Sequence, residues 1–100
     1  MEIVWKNNKV EKQVIKIARS NLTVRKRLSQ LENAPCFLDI PTSAHPHFLK
    51  GNLEEYFAID LDYPARIICE PVRDFKKKGK QFIKETIIAI EIIRIEKDYH

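Results

Sequence analysis

Glycine and cysteine are scarce in this sequence, with two of each among 100 residues. The two cysteines, Cys36 and Cys69, form no CxxC pair, so we expect both to be free, buried, small apolar side chains. Long apolar runs are also missing. The longest, at residues 87–95, is interrupted by Glu91 and Arg94 and falls far short of the roughly 20 residues of a membrane span. These absences argue against a disulfide framework and against a transmembrane protein.

The composition and the first residues indicate what kind of protein to expect. With 44% apolar and 32% charged residues, the chain is too apolar for intrinsic disorder, and its length suits one compact domain over residues 1–100. The first nine residues lack the apolar core of a secretory signal. We therefore expect a cytoplasmic protein with no membrane contact.

Positive charge is unevenly distributed along the chain. The net charge is +4, which would suit a polyanionic partner but is shared by many plain soluble domains. Residues 1–50 hold nine lysines and arginines against four acidic residues, and residues 51–100 hold nine against ten. A second basic cluster, formed by Lys76, Lys77, Lys78 and Lys80, surrounds Gly79 between two apolar segments. This cluster is typical of a hairpin tip that contacts phosphate or is merely solvated.

The spacing of apolar residues predicts one strand and then two helices. Residues 2–5 are short, apolar and rich in strand formers, which favours an opening strand. Helical spacing then predicts two amphipathic helices, one through Val14 and one through Val24, the second strongly basic. The second helix should end near Asn33, because Pro35 disfavours helical geometry in the residue before it. Residues 35–46 should form an ordered loop.

The second half of the chain has the alternation of β-strands. Residues 56–61 and 66–72 alternate apolar and polar side chains on either side of a turn at 62–64. Residues 86–96 contain six isoleucines and read as the central strand of the core. The order therefore predicts an α+β fold, in which two N-terminal helices pack on one face of a small, mostly antiparallel sheet and leave the other face free.

The sequence contains three histidines, His45, His47 and His100, and an isolated histidine is usually a surface residue. A metal site would combine His45 and His47 with Cys36 or His100, but zinc sites normally use tighter pairs, so we predict no metal and no other cofactor. RNA cleavage without a metal needs a base, an acid and cations that stabilise charge on phosphorus. His47, His100, Lys50 and Arg66 supply these groups, as many basic domains would.

Four segments together carry a more specific signal. They are HFLKG at 47–51, YFAIDL at 56–61, PARIICEP at 64–71 and DYH at 98–100. In their order and approximate spacing, and with the strand and basic helices before them, they resemble the HigB-like killer proteins of the RelE/ParE toxin superfamily. The terminal DYH is the most specific element of this resemblance.

The resemblance implies a toxin of a toxin–antitoxin pair, a ribosome-dependent mRNA endoribonuclease. Its partners would be translated mRNA, the ribosome and an antitoxin with a helix-turn-helix DNA-binding domain. The matching catalytic or RNA-positioning residues are His47, Arg66, Asp98, Tyr99 and His100. Lys50 matches the lysine of the histidine segment and would bind phosphate. We add Lys76, Lys77 and Lys78 as candidate phosphate-binding residues, because they cluster at the predicted hairpin.

One segment departs from the family pattern. After Lys50 and Gly51 the family usually continues with a basic turn, whereas residues 52–55 of this chain read NLEE. The exchange of cations for anions should weaken contact with RNA there. Two alternatives to the nuclease remain open: a ParE-like toxin that inhibits DNA gyrase without cleaving RNA, and a non-catalytic RNA-binding domain. The terminal histidine favours the nuclease, because the ParE-like branch generally lacks it.

Overall fold

The computed structural model describes residues 1–53 and 55–97. Strand β1 (Glu2–Trp5) is followed by two helices, α1 (Asn8–Ser20) and α2 (Leu22–Asn33). The later strands are β2 (His47–Phe48), β3 (Phe57–Asp60), β4 (Arg66–Pro71), β5 (Lys76–Lys78), β6 (Gln81–Ile83) and β7 (Ala89–Glu96). The predicted order of a strand, two helices and further strands is confirmed.

Two asparagines set the helix boundaries. The side chain of Asn7 accepts a hydrogen bond from the backbone N–H of Val10 at 2.9 Å, which satisfies a free donor in the first turn of α1. Asn21 lies between the helices in an extended conformation and accepts in the same way from Val24 at 3.0 Å. The chain therefore turns after α1 and begins α2 within one residue.

Five strands form the main sheet, in the order β1-β7-β4-β3-β2. β1 runs parallel to β7, and the other neighbours are antiparallel. Both helices cover one face, where Val14 and Leu31 pack in the same buried cluster as Ile67, Ile90 and Ile92. The mostly antiparallel α+β fold is therefore as predicted. We call the opposite side of the sheet the open face.

A β-bulge in β7 decides which side chains reach the open face. Cys69 of β4 pairs with Ile92 and Ile68 pairs with Arg94, so Ile93 is an extra residue in β7. Before the bulge, Ile92 faces the helices. After it, Ile95 packs in the helix-side cluster, and Arg94 lies opposite Ile68 on the open face. Strict alternation would have turned Arg94 toward the helices.

The basic cluster forms the predicted hairpin. β5 and β6 pair with each other in a separate two-stranded sheet, joined by a turn at Gly79 and Lys80. Gly79 has a φ of 65°, the left-handed conformation that glycine adopts without steric cost. Cys69 is fully buried and Cys36 only partly so, and both are free, so the expectation of burial is wrong for Cys36. Among residues 1–53 and 55–97, no helix has the length and apolar character to cross a membrane.

Arg27 joins α2 to the segments that carry the candidate site. Its Nε donates to the carbonyl of Asp60 at 2.8 Å, at the end of β3. Its Nη2 donates to the carbonyl of Ser43 at 3.1 Å, in the loop that precedes β2, and its Nη1 donates to Gln30 Oε1 at 3.0 Å. The guanidinium therefore fixes the loop before β2 against both α2 and β3.

We expect Arg27→Ala to lower the free energy of unfolding by about 2 kcal/mol, because charge-assisted hydrogen bonds of a partly buried guanidinium would be lost. Lys26→Ala, at an exposed neighbouring position of the same helix, should change it by less than about 0.5 kcal/mol. Urea unfolding of both variants measures the difference. Equal stability of the two variants would contradict the role assigned to Arg27.

Candidate functional site on the open face of the sheet

The register of the strands places the candidate residues in two neighbouring rows of the open face. His47, Ala58, Ile68 and Arg94 are successive cross-strand neighbours on β2, β3, β4 and β7. The next row consists of Asp60, Arg66 and Glu96. Two side chains named in the sequence analysis, His47 and Arg66, thus share this face, and three unpredicted ones accompany them. Asp60, Arg94 and Glu96 were missed because their face depends on strand pairing and on the bulge.

His45, in the loop before β2, stacks on His47 of β2 beside β3. His45 has a left-handed backbone, with φ 48°, at the end of a short 3₁₀ turn, and its ring centroid lies 4.4 Å from that of His47. The Nδ1 of His45 lies 2.9 Å from Oδ2 of Asp60. A carboxylate can only accept, so this nitrogen carries the proton. His45 is exposed, as expected of an isolated histidine, and its i, i+2 spacing from His47 is a sequence signal that the two imidazoles can meet.

The tautomer of His47 follows from its backbone partner. Its Nδ1 lies 2.8 Å from the carbonyl oxygen of His45, and a carbonyl can only accept a hydrogen bond. The Nδ1 therefore carries the proton, and the Nε2 of the neutral ring keeps a lone pair. A histidine held in this way can accept a proton from a substrate.

Glu96 holds two arginines on the open face. Its Oε1 accepts from Arg66 Nε at 2.9 Å, and its Oε2 accepts from Arg94 Nη2 at 2.6 Å. Burial alone would raise the pKa of Glu96, but the hydrogen bonds and charges of Arg94 and Arg66 outweigh it, so that pKa lies below its ordinary value. The Arg66 side chain is 15% exposed and that of Arg94 is 44% exposed. Asp60 lies in the same row, so two carboxylates stand against the two guanidiniums, of which that of Arg94 is the more exposed.

The other end of the open face is acidic. Glu70 of β4 lies directly opposite Glu91 of β7. Burial, and then the negative charges of Glu91 and Glu55, raise the pKa of Glu70 above its ordinary value. This pair of carboxyl groups therefore repels a polyanion from this end of the sheet.

The lysines proposed for phosphate binding differ in their surroundings. Lys50 is exposed just beyond β2, and Lys76 and Lys78 are exposed on the hairpin. Lys77 instead donates to Glu55 Oε1 at 2.9 Å, and its Nζ lies 4.5 Å from the ring centroid of Phe82. The acidic turn at 52–55 therefore contributes a carboxylate that neutralises one of the hairpin lysines.

Three of the predicted site residues, Asp98, Tyr99 and His100, lie outside the described residues. The described part of the chain also contains one group of side chains that could hold a metal ion, made of His45, His47 and Asp60, with one donor atom from each within 4.8 Å of the others. Asp60 is a different third donor from Cys36 or His100, the partners predicted from the sequence, because nothing in the sequence places Asp60 beside the loop.

Comparisons with known proteins identify the fold. No protein-family model matches the sequence, and no curated protein matches it significantly. A solved structure, a YoeB/ParE toxin from Agrobacterium tumefaciens, is similar with a TM-score of 0.60 and 19% sequence identity, over 99% of this chain and 100% of that chain. The shared architecture is the α+β fold of that toxin. At this identity the likeness shows the fold alone, and it does not single out the HigB branch.

Substitution of Glu96 and of Glu70, the two carboxyl groups with shifted pKa values, should change the free energy of unfolding at neutral pH in opposite directions. Glu96→Gln should lower the free energy of unfolding at pH 7, because the lowered pKa of Glu96 reflects stabilisation of its charged form. That stabilisation is present above the unfolded pKa of about 4.3 and is lost as pH falls through the folded value. Glu70→Gln should raise the free energy of unfolding at pH 7, because the charged form of Glu70 destabilises the folded protein. This effect disappears as pH falls below the unfolded pKa.

Urea unfolding midpoints between pH 7 and pH 3.5 measure both effects, with Glu85→Gln as an exposed control for amide substitution. Both differences from wild type should shrink toward the acidic end. A loss of stability in Glu70→Gln at pH 7 would contradict the assigned repulsion.

Proposed function

We propose that this protein is the toxin of a toxin–antitoxin pair and an endoribonuclease that cleaves mRNA on the ribosome. The observation that carries the proposal is the geometry of His47, whose Nδ1 is bonded to a backbone carbonyl, on the same sheet face as Arg66. The fold shared with a YoeB/ParE toxin supports the toxin assignment. The proposed partners are mRNA, the ribosome and a helix-turn-helix antitoxin, as the sequence resemblance implies.

The proposed reaction is an internal transfer at phosphorus. Nε2 of His47 takes the proton of an RNA 2′-hydroxyl, and the 2′-oxygen attacks the adjacent phosphorus. The P–O5′ bond breaks, which leaves a 2′,3′-cyclic phosphate. We assign to His100 the transfer of a proton to the departing 5′-oxygen, and to Asp98 and Tyr99 the positioning of that imidazole and of the RNA. Proton donor and acceptor come from the protein, so no metal is required.

Arg66 is the proposed stabiliser of charge on the phosphate. β3 separates β2 from β4, and His47 and Arg66 are offset by one row, so their Cα atoms are about 12 Å apart. The imidazole of His47 and the long side chain of Arg66 can therefore contact one phosphate group placed between them. Glu96 orients the guanidinium through Nε, and restricting its motion reduces the entropy lost when phosphate binds.

The lysines are proposed to position RNA outside the reacting centre. Lys50, Lys76 and Lys78 are exposed and can contact phosphates of mRNA or of ribosomal RNA. Lys77 contributes less in this proposal, because Glu55 already neutralises it. The acidic turn should therefore reduce affinity for RNA relative to relatives with a basic turn.

Gyrase inhibition is the second candidate, since the name of the structural neighbour joins YoeB and ParE. It requires no proton acceptor, and the hydrogen bond that leaves Nε2 of His47 available favours the nuclease instead. A lone RNA-binding domain is the third. A neighbouring reading frame that encodes a helix-turn-helix antitoxin would separate either toxin from this third candidate.

We expect induced expression to arrest growth and to create new mRNA 5′ ends confined to translated regions. Arg66→Ala should reduce cleavage on the order of a hundredfold, because a cation facing developing charge is lost. Arg73→Ala, at an exposed arginine that pairs with Glu2, is the matched control and should cleave as wild type does. Full toxicity of a folded Arg66→Ala protein would remove this role and favour gyrase inhibition.

Cleavage should depend on the ribosome. One small domain offers few groups that align RNA, so we expect rapid cleavage on programmed ribosomes and little of naked RNA. A chelator selective for transition metals, which leaves Mg²⁺ on the ribosome, should not reduce the rate. Rapid cleavage of naked RNA would contradict the ribosome dependence, and loss of activity with the chelator would contradict the metal-free mechanism.

The C-terminal residue should be part of the site. Glu96 ends β7 beside Arg66, and four residues limit the tether to His100 to about 14 Å. We expect His100→Gln, deletion of His100 and a bulky C-terminal tag each to impair ribosome-dependent cleavage without lowering the melting temperature. Wild-type rates in all three proteins would show that the terminal tripeptide is a tail.

A further inference from the structure

His45, His47 and Asp60 have the composition of a zinc site with an open coordination position. Two imidazoles and one carboxylate form a donor set used by catalytic zinc centres, in which water takes the fourth place. One donor atom from each side chain lies within 4.8 Å of the other two. Tetrahedral zinc with bonds of about 2.0–2.2 Å needs donors about 3.3 Å apart, so the donors must approach by about 1.5 Å. The His45 side chain is 66% exposed and can rotate to close this gap.

The hydrogen bond of His47 is that of a metal-binding histidine. A histidine ligand usually donates its second ring N–H to a carboxylate or to a backbone carbonyl, which orients the ring and raises its basicity. His47 donates from Nδ1 to the carbonyl of His45, so its Nε2 is left for an ion. His45 faces Asp60 with Nδ1, and the ion takes the place of the proton between this nitrogen and Oδ2 of Asp60, 2.9 Å away. Two zinc donors lie about 3.3 Å apart, so this pair needs little movement.

The surrounding backbone holds the three donors together. Arg27 bonds the carbonyl of Asp60 and the carbonyl of Ser43, two residues before His45. Arg66 lies opposite Asp60, but it is ion-paired with Glu96, which reduces the repulsion that a bound dication would meet. The cluster is therefore anchored through its backbone while its imidazoles remain accessible from solvent.

We propose that His45, His47 and Asp60 bind one Zn²⁺ ion, and that the bound ion stops RNA cleavage by occupying Nε2 of His47. The second half of this proposal rests on the proposed nuclease function, whereas zinc binding does not. Because the ion takes the lone pair that would accept the 2′-hydroxyl proton, zinc and the base role of His47 exclude each other. Zinc is then an inhibitor of this enzyme and not its cofactor.

Calorimetric titration of the purified full-length chain with zinc chloride tests the site without any activity assay. Wild type should bind one equivalent, and His45→Asn and Asp60→Asn should weaken binding at least about tenfold. Asparagine suits position 45, because it tolerates the left-handed backbone there. Asp62→Asn is the matched control, since this exposed carboxylate bonds Thr23 and lies outside the cluster. Long-range ¹H–¹⁵N spectra should show zinc shifting Nε2 of His47 and Nδ1 of His45, with loss of the proton on Nδ1 of His45, while Nδ1 of His47 stays protonated.

Ribosome-dependent cleavage with and without zinc tests the second half, each protein being compared with its own rate in the absence of zinc. Zinc should reduce cleavage by wild type and by Asp62→Asn at least tenfold, reversibly on chelation, and His45→Asn should lose this sensitivity. Absence of binding, or equal binding by His45→Asn and Asp60→Asn, overturns the site. Binding without inhibition overturns the regulation. If zinc binds but no condition yields cleavage, the nuclease proposal fails and the zinc site stands.

Discussion

The pairing of β7 between β1 and β4 is the constraint on which the rest of the structure depends. Ile90 and Ile92 are fully buried beneath the helices, so the register of this strand is fixed by the apolar area it removes from water. The extra residue at Ile93 then reverses which side chains of β7 face the helices and which face the open side. Arg94 and Glu96 reach the open face because of that bulge, and Glu96 can bind Arg66 only from there.

The helices also position the loop that carries His45. α2 belongs to the layer that covers the sheet, yet its Arg27 bonds backbone carbonyls on the loop and at the end of β3. The position of His45 beside Asp60 therefore depends on helix packing as well as on local turn geometry. Arg27, a basic residue of this helix, is therefore part of the framework of the fold.

Charge on the open face is divided and not uniformly positive. At the arginine end, Arg66 and Arg94 stand against Glu96 and Asp60, whereas the opposed pair of Glu70 and Glu91 repels a polyanion. The hairpin adds exposed lysines, but one of them, Lys77, is ion-paired with Glu55. A net charge of +4 thus describes the whole chain poorly, since the effect on a ligand is set by where each charge lies.

The sequence by itself determined the element order, the end of the second helix near Asn33 and the α+β class, because helix spacing, strand alternation and Pro35 act through neighbours along the chain. Through the resemblance to HigB-like proteins it also predicted His47 and Arg66 as site residues, and the strand register places both on one face of the sheet. Only the tertiary structure decided the rest. The bulge at Ile93 and the meeting of His45 with Asp60 arise from pairing between strands distant in sequence, and local periodicity carries no information about which residues such pairing brings together.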